Sequence, residues 1–271
     1  MKHVHLIYNP ASGSVGTGTV DAITAAVAAA DGRIDAVTCF PDDALPTVAD
    51  LEGIDTVIVA AGDGTINTAA KALDDWPGRM LVLPGGTMNL LPKLLHASTD
   101  SAAILPKVRD ADARPLATVS AGEQRALVGA LIGPAAIWVH AREAVRKGRW
   151  HRLRRAIGLA WTKSFGHSVR VIENGKRSRS YRAIYIAPEA DRLRVVKVTA
   201  RGWRDGVAIG WYWLRGNVVA AEGVTEEMLD SLTLASSRPT FALFDGEPSH
   251  LPIGTVIAPG TTRLAFVTTA P

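Results

Sequence analysis

Short β-type runs alternate with helix-type runs through the first third of the chain, and that alternation leaves few folds open. His3–Tyr8 precedes Val20–Ala30, Ile34–Thr38 precedes Ala44–Leu51, Thr56–Ala60 precedes Ile66–Leu73, and Met80–Leu83 precedes Met88–Leu95. Strands separated by single helices lie parallel in one sheet, because a right-handed crossover is the short way back. Ligands of such sheets bind beyond the carboxyl ends of the strands, so the loops after Tyr8, Ala60 and Leu83 are where function is expected.

From about Ala113 the pattern changes. Leu116–Ser120 and Ala126–Ile132 flank a turn at Gly122, and Ser168–Ile172 and Ser180–Ile186 flank Asn174-Gly175, a hairpin signal. Arg194–Thr199, Val207–Trp213, Thr240–Phe244 and Leu264–Thr268 read as further strands, with helical insertions over Pro134–Ser164 and Val224–Leu232. The second part is therefore expected to be antiparallel, and 271 residues at 47% hydrophobic content suffice for two cores.

Bulk properties exclude some classes. Cys39 is the single cysteine, so there is neither an intramolecular disulfide nor a thiolate metal cluster, and it reads as a small buried side chain in a cytoplasmic protein. The apolar stretch after Lys2 is broken and too short for a signal peptide, and the run Ala126–Val139 is interrupted at Gly133-Pro134, short of a spanning helix. A net charge of +4 favours anionic partners without choosing among them.

Chemistry concentrates in four loops. Asn9-Pro10-Ala11-Ser12-Gly13, followed by Gly16 and Gly18, has the small residues that let backbone amides approach a phosphate before a helix N-terminus, although an ordinary βα turn reads the same way. Thr19 stands where a Walker loop needs lysine, and no dinucleotide fingerprint is present. Gly62-Asp63-Gly64-Thr65-Ile66-Asn67 sets a carboxylate between glycines, where Mg²⁺ would reconcile it with phosphates, and Thr65 is expected to cap the next helix. Pro84-Gly85-Gly86-Thr87-Met88-Asn89 repeats the glycine-rich design, with Thr87 either a ligand group or a cap. Asp245-Gly246-Glu247 follows a strand; alternation would put both carboxylates on one face, poised to accept a hydroxyl proton, and a surface acidic turn is the other reading.

In that order, the motifs NPASG, GDGTIN, LPGGTMN and DGEP resemble the diacylglycerol kinase catalytic family, which includes bacterial lipid kinases and sphingosine kinases. The resemblance implies an α/β fold: an N-terminal doubly wound nucleotide-binding domain similar to NAD kinases (residues 1–110, completed by a strand at about 262–271) and a C-terminal antiparallel β-sandwich over 111–261 for the lipid. It implies ATP and Mg²⁺ as cofactors in the cleft between the domains. Asn9, Ser12, Gly13, Thr38, Gly62, Asp63, Gly64, Thr65, Asn67, Gly86, Thr87 and Asn89 would line the nucleotide site, with Asp63 toward the ATP-bound Mg²⁺. Glu247 would be the proton acceptor, with Asp245 orienting it or sharing the role and Asp63 completing the catalytic set.

Two departures stand out: Ala61 replaces a family glycine, and Leu90-Leu91-Pro92-Lys93 replaces an acidic-aromatic continuation. The implied role is phospholipid metabolism on a lipid at a membrane surface, the protein being cytoplasmic and peripherally associated. Arg142–Trp161, rich in arginine and tryptophan, reads either as an interfacial helix or as a basic face packed on the core; nucleic acid is not expected. The oligomeric state is open, a homodimer included. An NAD kinase-like enzyme and a catalytically silent nucleotide- or lipid-binding regulator are the alternatives.

Overall fold

The computed structural model describes residues 1–13, 15–133, 168–173, 175–177, 180–199 and 223–270. The expected helical insertion over Pro134–Ser164, the basic segment Arg142–Trp161 and the strand Val207–Trp213 lie outside the described residues. The chain divides into two compact units, Met1–Leu116 with Thr261–Pro271, and Ala117–Gly260.

In the first unit, β1 (His3–Tyr8), α1 (Thr17–Ala29), β2 (Arg33–Cys39), β3 (Thr56–Ala61), α2 (Asp63–Ala72), β4 (Arg79–Pro84), α3 (Leu90–His96), α4 (Ser101–Ile104) and β5 (Asp112–Arg114) follow one another. Their sheet runs β2-β1-β3-β4 in parallel. It is extended by the chain's last strand, Ala265–Thr268, parallel to β4, and then by antiparallel β5. β3, Thr-Val-Ile-Val-Ala-Ala, is buried along its whole length, as a central parallel strand covered on both faces must be. Ala61 is simply its last residue, paired with Pro84 and fully buried, so the methyl group that departs from the family pattern is absorbed by the core.

Two expectations for this unit fail. Ala44–Leu51 forms no α-helix; only the single 3-10 turn Ala49–Leu51 is present. Pro46 denies its predecessor helical backbone, and Thr47 and Asp50 bond each other reciprocally, Thr47 N–H donating to Asp50 Oδ2 at 2.8 Å, which starts a new turn there. Cys39 is half-exposed at the end of β2 rather than buried.

The second unit holds two antiparallel six-stranded sheets among the described residues. One is β10 (Lys176–Arg177), β9 (Val171–Glu173), β14 (Leu232–Leu234), β17 (Val256–Thr261), β6 (Ala117–Ala121) and β7 (Gln124–Ala126) in spatial order. The other is β13 (Val224–Leu229), β12 (Arg192–Val198), β11 (Ala183–Glu189), β8 (Ala130–Ile132), β15 (Thr240–Phe244) and β16 (Glu247–Leu251). The chain's last strand is accordingly β18. Val119, Val171 and Leu234 of the first sheet and Ile132, Ile184, Val195 and Phe244 of the second meet in one core.

Val224–Leu232 is thus not a helix. Its first six residues pair with β12, and Glu227 accepts a 2.8 Å bond from Lys197, which also donates to Glu173 at 2.6 Å. Lys197 is 1% exposed, and a buried ammonium needs such partners; they raise its pKa against the opposing effect of burial. A tertiary ion pair has overridden local propensity. The run Ala126–Ile132 also divides: β7 and β8 sit in different sheets, separated by Leu127–Gly129.

Two buried histidines tie the first unit together. His5 shares a 2.7 Å hydrogen bond with Thr38 Oγ1, and His96 reaches Val82 O and Thr269 Oγ1, both at 3.0 Å. Burial lowers both pKa values, opposed at His5 by Asp50 and at His96 by the Val82 carbonyl. Their contribution to stability is present above the ordinary value of 6.5 and is lost as pH falls through the lowered folded values. Urea unfolding should therefore show stability falling on acidification by up to about 1.4 kcal/mol per pH unit per histidine, and His96→Gln should flatten that slope. An unchanged slope in the variant would contradict the assignment.

Candidate functional site

The sheet order β2-β1-β3-β4 contains a switch point. From β1 the chain moves outward to β2, and from β3 it moves the opposite way to β4, so the loops leaving β1 and β3 diverge and open a crevice beyond their carboxyl ends. The sequence loops 9–13, 62–67 and 84–89 all begin at carboxyl ends of the adjacent strands β1, β3 and β4.

These loops interlock. Asn9 Nδ2 donates to Thr65 Oγ1 at 2.9 Å, while Asn9 Oδ1 accepts from Ala11 N–H at 2.9 Å. Ser12 Oγ accepts from Gly62 N–H at 3.0 Å. A Cβ on Gly86 would stand 2.8 Å from Gly62 Cα, and one on Gly85 would stand 2.8 Å from Ala61 Cα. Neither side chain fits, so the glycines permit backbone-to-backbone approach of the second and third loops. Asn89 Oδ1 accepts from Gly86 N–H at 2.8 Å, and Asn89 itself adopts left-handed backbone as the cap of α3.

Asp63 is the first residue of α2, and its Oδ1 accepts from Leu90 N–H at 2.8 Å and Leu91 N–H at 3.4 Å. It therefore fastens the start of α3 to the start of α2, a structural task beyond the metal role read from sequence. Thr65 does not cap the helix; Gly62 does, and Thr65 lies inside the first turn, 8% exposed and bound to Asn9. Nor is Thr87 a cap, that place being taken by Asn89; Thr87 is exposed between Gly86 and Asn89. Gly13 is exposed at the end of its loop, Gly64 lies in α2, and Asn67 is half-buried in α2. Thr38 stands apart from this network, buried on β2 against His5.

In the second unit Phe244 and Glu247 pair directly, so Asp245 and Gly246, with φ of 49° and 93°, are the two central residues of a tight hairpin turn between β15 and β16. Strand alternation does not apply across them. Asp245 is 6% exposed and its carboxylate is engaged by backbone: Oδ2 accepts from Leu127 N–H at 2.6 Å, Oδ1 from Val128 and Gly129 N–H at 2.8 and 2.9 Å. Glu247 is exposed. The two carboxylates thus have different environments. Sequence reasoning missed Leu127–Gly129, although Gly129 inside an apolar run is the signal for a strand break or close backbone approach, and Asp-Gly is itself a hairpin signal.

Residues 3–121 match the diacylglycerol kinase catalytic domain. The matched span holds three of the four motifs and every loop of the interlocked network, and the DGEP motif at Asp245–Pro248 lies outside it. A Streptococcus pneumoniae serotype 4 protein provisionally named a lipid kinase is 41% identical over 51 residues, 18% of this chain and 17% of that protein. A solved diacylglycerol kinase structure from Bacillus anthracis strain Sterne superposes with a TM-score of 0.68 at 14% identity, covering 98% of this chain and 97% of that one. A second structure from that strain, provisionally titled a diacylglycerol kinase, gives 0.70 at 18% identity over 98% and 97%. At such identities the likeness speaks to fold.

Gly13 provides a clean probe, because a Cβ there would meet nothing within 4 Å. Gly13→Ala should leave the thermal midpoint unchanged yet weaken Mg-ATP binding by about tenfold in calorimetric titration, since only a ligand pressed against the loop would feel the methyl. Gly86→Ala should lose both. Full nucleotide affinity in Gly13→Ala would remove the first loop from the site.

Proposed function

We propose that this chain is an ATP-dependent lipid kinase that transfers the γ-phosphoryl group to a hydroxyl of diacylglycerol or a related lipid. The observation that carries the reading is the interlocking of three glycine-rich loops at the switch point of a parallel sheet, within residues that match the diacylglycerol kinase catalytic domain.

The residues present fit a nucleotide triphosphate. Gly13, Gly16 and Gly18 have nothing within 4 Å of the place a Cβ would take, so backbone of the first loop and the start of α2 would be open to phosphate oxygens. Asp63 is the carboxylate among these loops; it would meet a nucleotide-bound Mg²⁺ directly or through a water, which suits an ion that retains several waters. Bound Mg-ATP supplies the phosphoryl group and offsets its developing charge. The chain's part is positioning: Asn9, Ser12 and Thr65 fix the first two loops to each other, Gly86 and Asn89 shape the third, and Glu247 accepts the proton of the attacking hydroxyl.

A second observation favours a lipid over NAD as the acceptor. On the sheet containing β8, the residues alternating with the core set form a directly paired row, Leu243, Leu131, Tyr185 and Val196. A sandwich sheet ordinarily turns a polar face outward; here the middle of the second face is apolar, with Leu243 and Val196 buried, and the charged Glu226 continues the row beside Val196. Asp245 and Arg194 flank this row. Such a face suits an acyl chain whose polar end lies toward the 245–247 turn. The enzyme would then work at a cytoplasmic membrane surface as a peripheral protein; among the described residues no helix is long and apolar enough to cross a membrane.

Labelled Mg-ATP offered with diacylglycerol vesicles, a fractionated lipid extract and NAD side by side tests the reading. Label should enter a lipid, and Glu247→Gln should lower the rate by about 10²–10⁴-fold with the fold retained. Label in NAD alone, or an undiminished rate in the variant, would overturn it.

A further inference from the structure

The lipid-kinase reading leaves the division of labour between Asp245 and Glu247 open, and the second unit carries the geometry to resolve it. Asp245 holds three consecutive backbone amides, those of Leu127, Val128 and Gly129, and its own N–H donates to Gly129 O at 3.0 Å. This clamp joins the hairpin 244–247 to the break between β7 and β8. It is backed from β11: a Cβ on Gly129 would stand 2.7 Å from Tyr185 Oη and 2.9 Å from Ile186 O, so the tyrosine hydroxyl occupies the room of a side chain there. Left-handed backbone at a non-glycine residue such as Asp245 costs free energy, and four hydrogen bonds at this one residue are what offset it.

We propose that Asp245 and Tyr185 are positioning residues: Asp245 locks the 244–247 turn onto Leu127–Gly129, Tyr185 braces that segment from behind, and both act on phosphoryl transfer through the placement of Glu247. Three backbone N–H groups already occupy most of the roughly four lone-pair sites of the Asp245 carboxylate. Burial keeps the Tyr185 phenol protonated, with Arg194 opposing and Asp245 adding to that effect, which suits a brace rather than an acid. Glu247, two residues on and exposed, retains access to solvent and substrate.

The inference rests on the kinase reading for its kinetic part only. Its structural part is read by amide exchange in NMR on wild type, Asp245→Asn, Tyr185→Phe and Glu247→Gln. An asparagine keeps one acceptor oxygen for Val128 and Gly129 and turns an amino group toward Leu127, so Leu127 N–H should exchange at least about tenfold faster in Asp245→Asn while Glu247→Gln leaves it unchanged. In the kinase assay Asp245→Asn should lower kcat by about tenfold or more without moving KM for ATP or the acidic limb of the pH profile, a limb that Glu247→Gln removes. Tyr185→Phe, which removes one oxygen and should fold normally, should lower kcat by about three- to tenfold with the same profile shape. Unchanged Leu127 exchange in Asp245→Asn would refute the clamp whether or not any activity is found. Loss of the acidic limb in Asp245→Asn would make Asp245 a proton acceptor and overturn the proposal. Absence of transfer by wild type, with the Leu127 effect intact, would fault the kinase reading and leave the clamp standing.

Discussion

The approach of Gly86 to Gly62, close enough that a single methyl group would collide at 2.8 Å, is the contact on which the first unit's site depends. It requires the ends of β3 and β4 to lie side by side, which the parallel pairing from Thr56↔Arg79 to Ala61↔Pro84 provides. It also requires the two following helices to begin at nearly the same place, and Asp63 secures this by bonding the first amides of α3. Without the carboxylate those amides would lose their partner; without the glycines the loops would be pushed apart. The same arrangement that satisfies the protein's own polar groups also leaves Gly13 with nothing within 4 Å of the place a Cβ would take.

The second unit uses a carboxylate in a related way. Asp63 and Asp245 both stand in Asp-Gly steps and both hold backbone N–H groups from a distant segment. Each is a fastening point between loops. Glycine-aspartate turns in this protein thus build rigid loops first. Whatever chemistry follows relies on that rigidity, since positioning and charge, more than covalent participation, govern phosphoryl transfer.

Much of this was legible in the sequence. Short apolar runs and glycine loops located β1, β3, β4 and β15 to within a residue, because buried strands are largely apolar and their ends are punctuated by residues only turns tolerate. The loops that interlock were picked out as candidates, but not who bonds whom: that Asn9 meets Thr65, 56 positions away, is a tertiary fact. Val224–Leu229 misled because Glu-Glu-Met-Leu favours a helix locally, while Lys197 on the neighbouring strand recruits Glu227 into a sheet. The reach of Asp245 to Leu127–Gly129 was hidden for the same reason, although Gly129 inside an apolar run marked a break there. Ala44–Leu51 was different: Pro46 and the Thr47/Asp50 pair were in view, and local turn chemistry outweighed the apolar spacing.

The claim at the centre is that these interlocked loops hold a nucleotide triphosphate. Hydrogen exchange followed by mass spectrometry on the full chain, with and without saturating Mg-ATP, addresses it most directly. Peptides spanning 9–13, 62–67 and 84–89 should all gain protection, with β12 and β13 unaffected. Saturation by the nucleotide with none of those peptides protected would contradict the account.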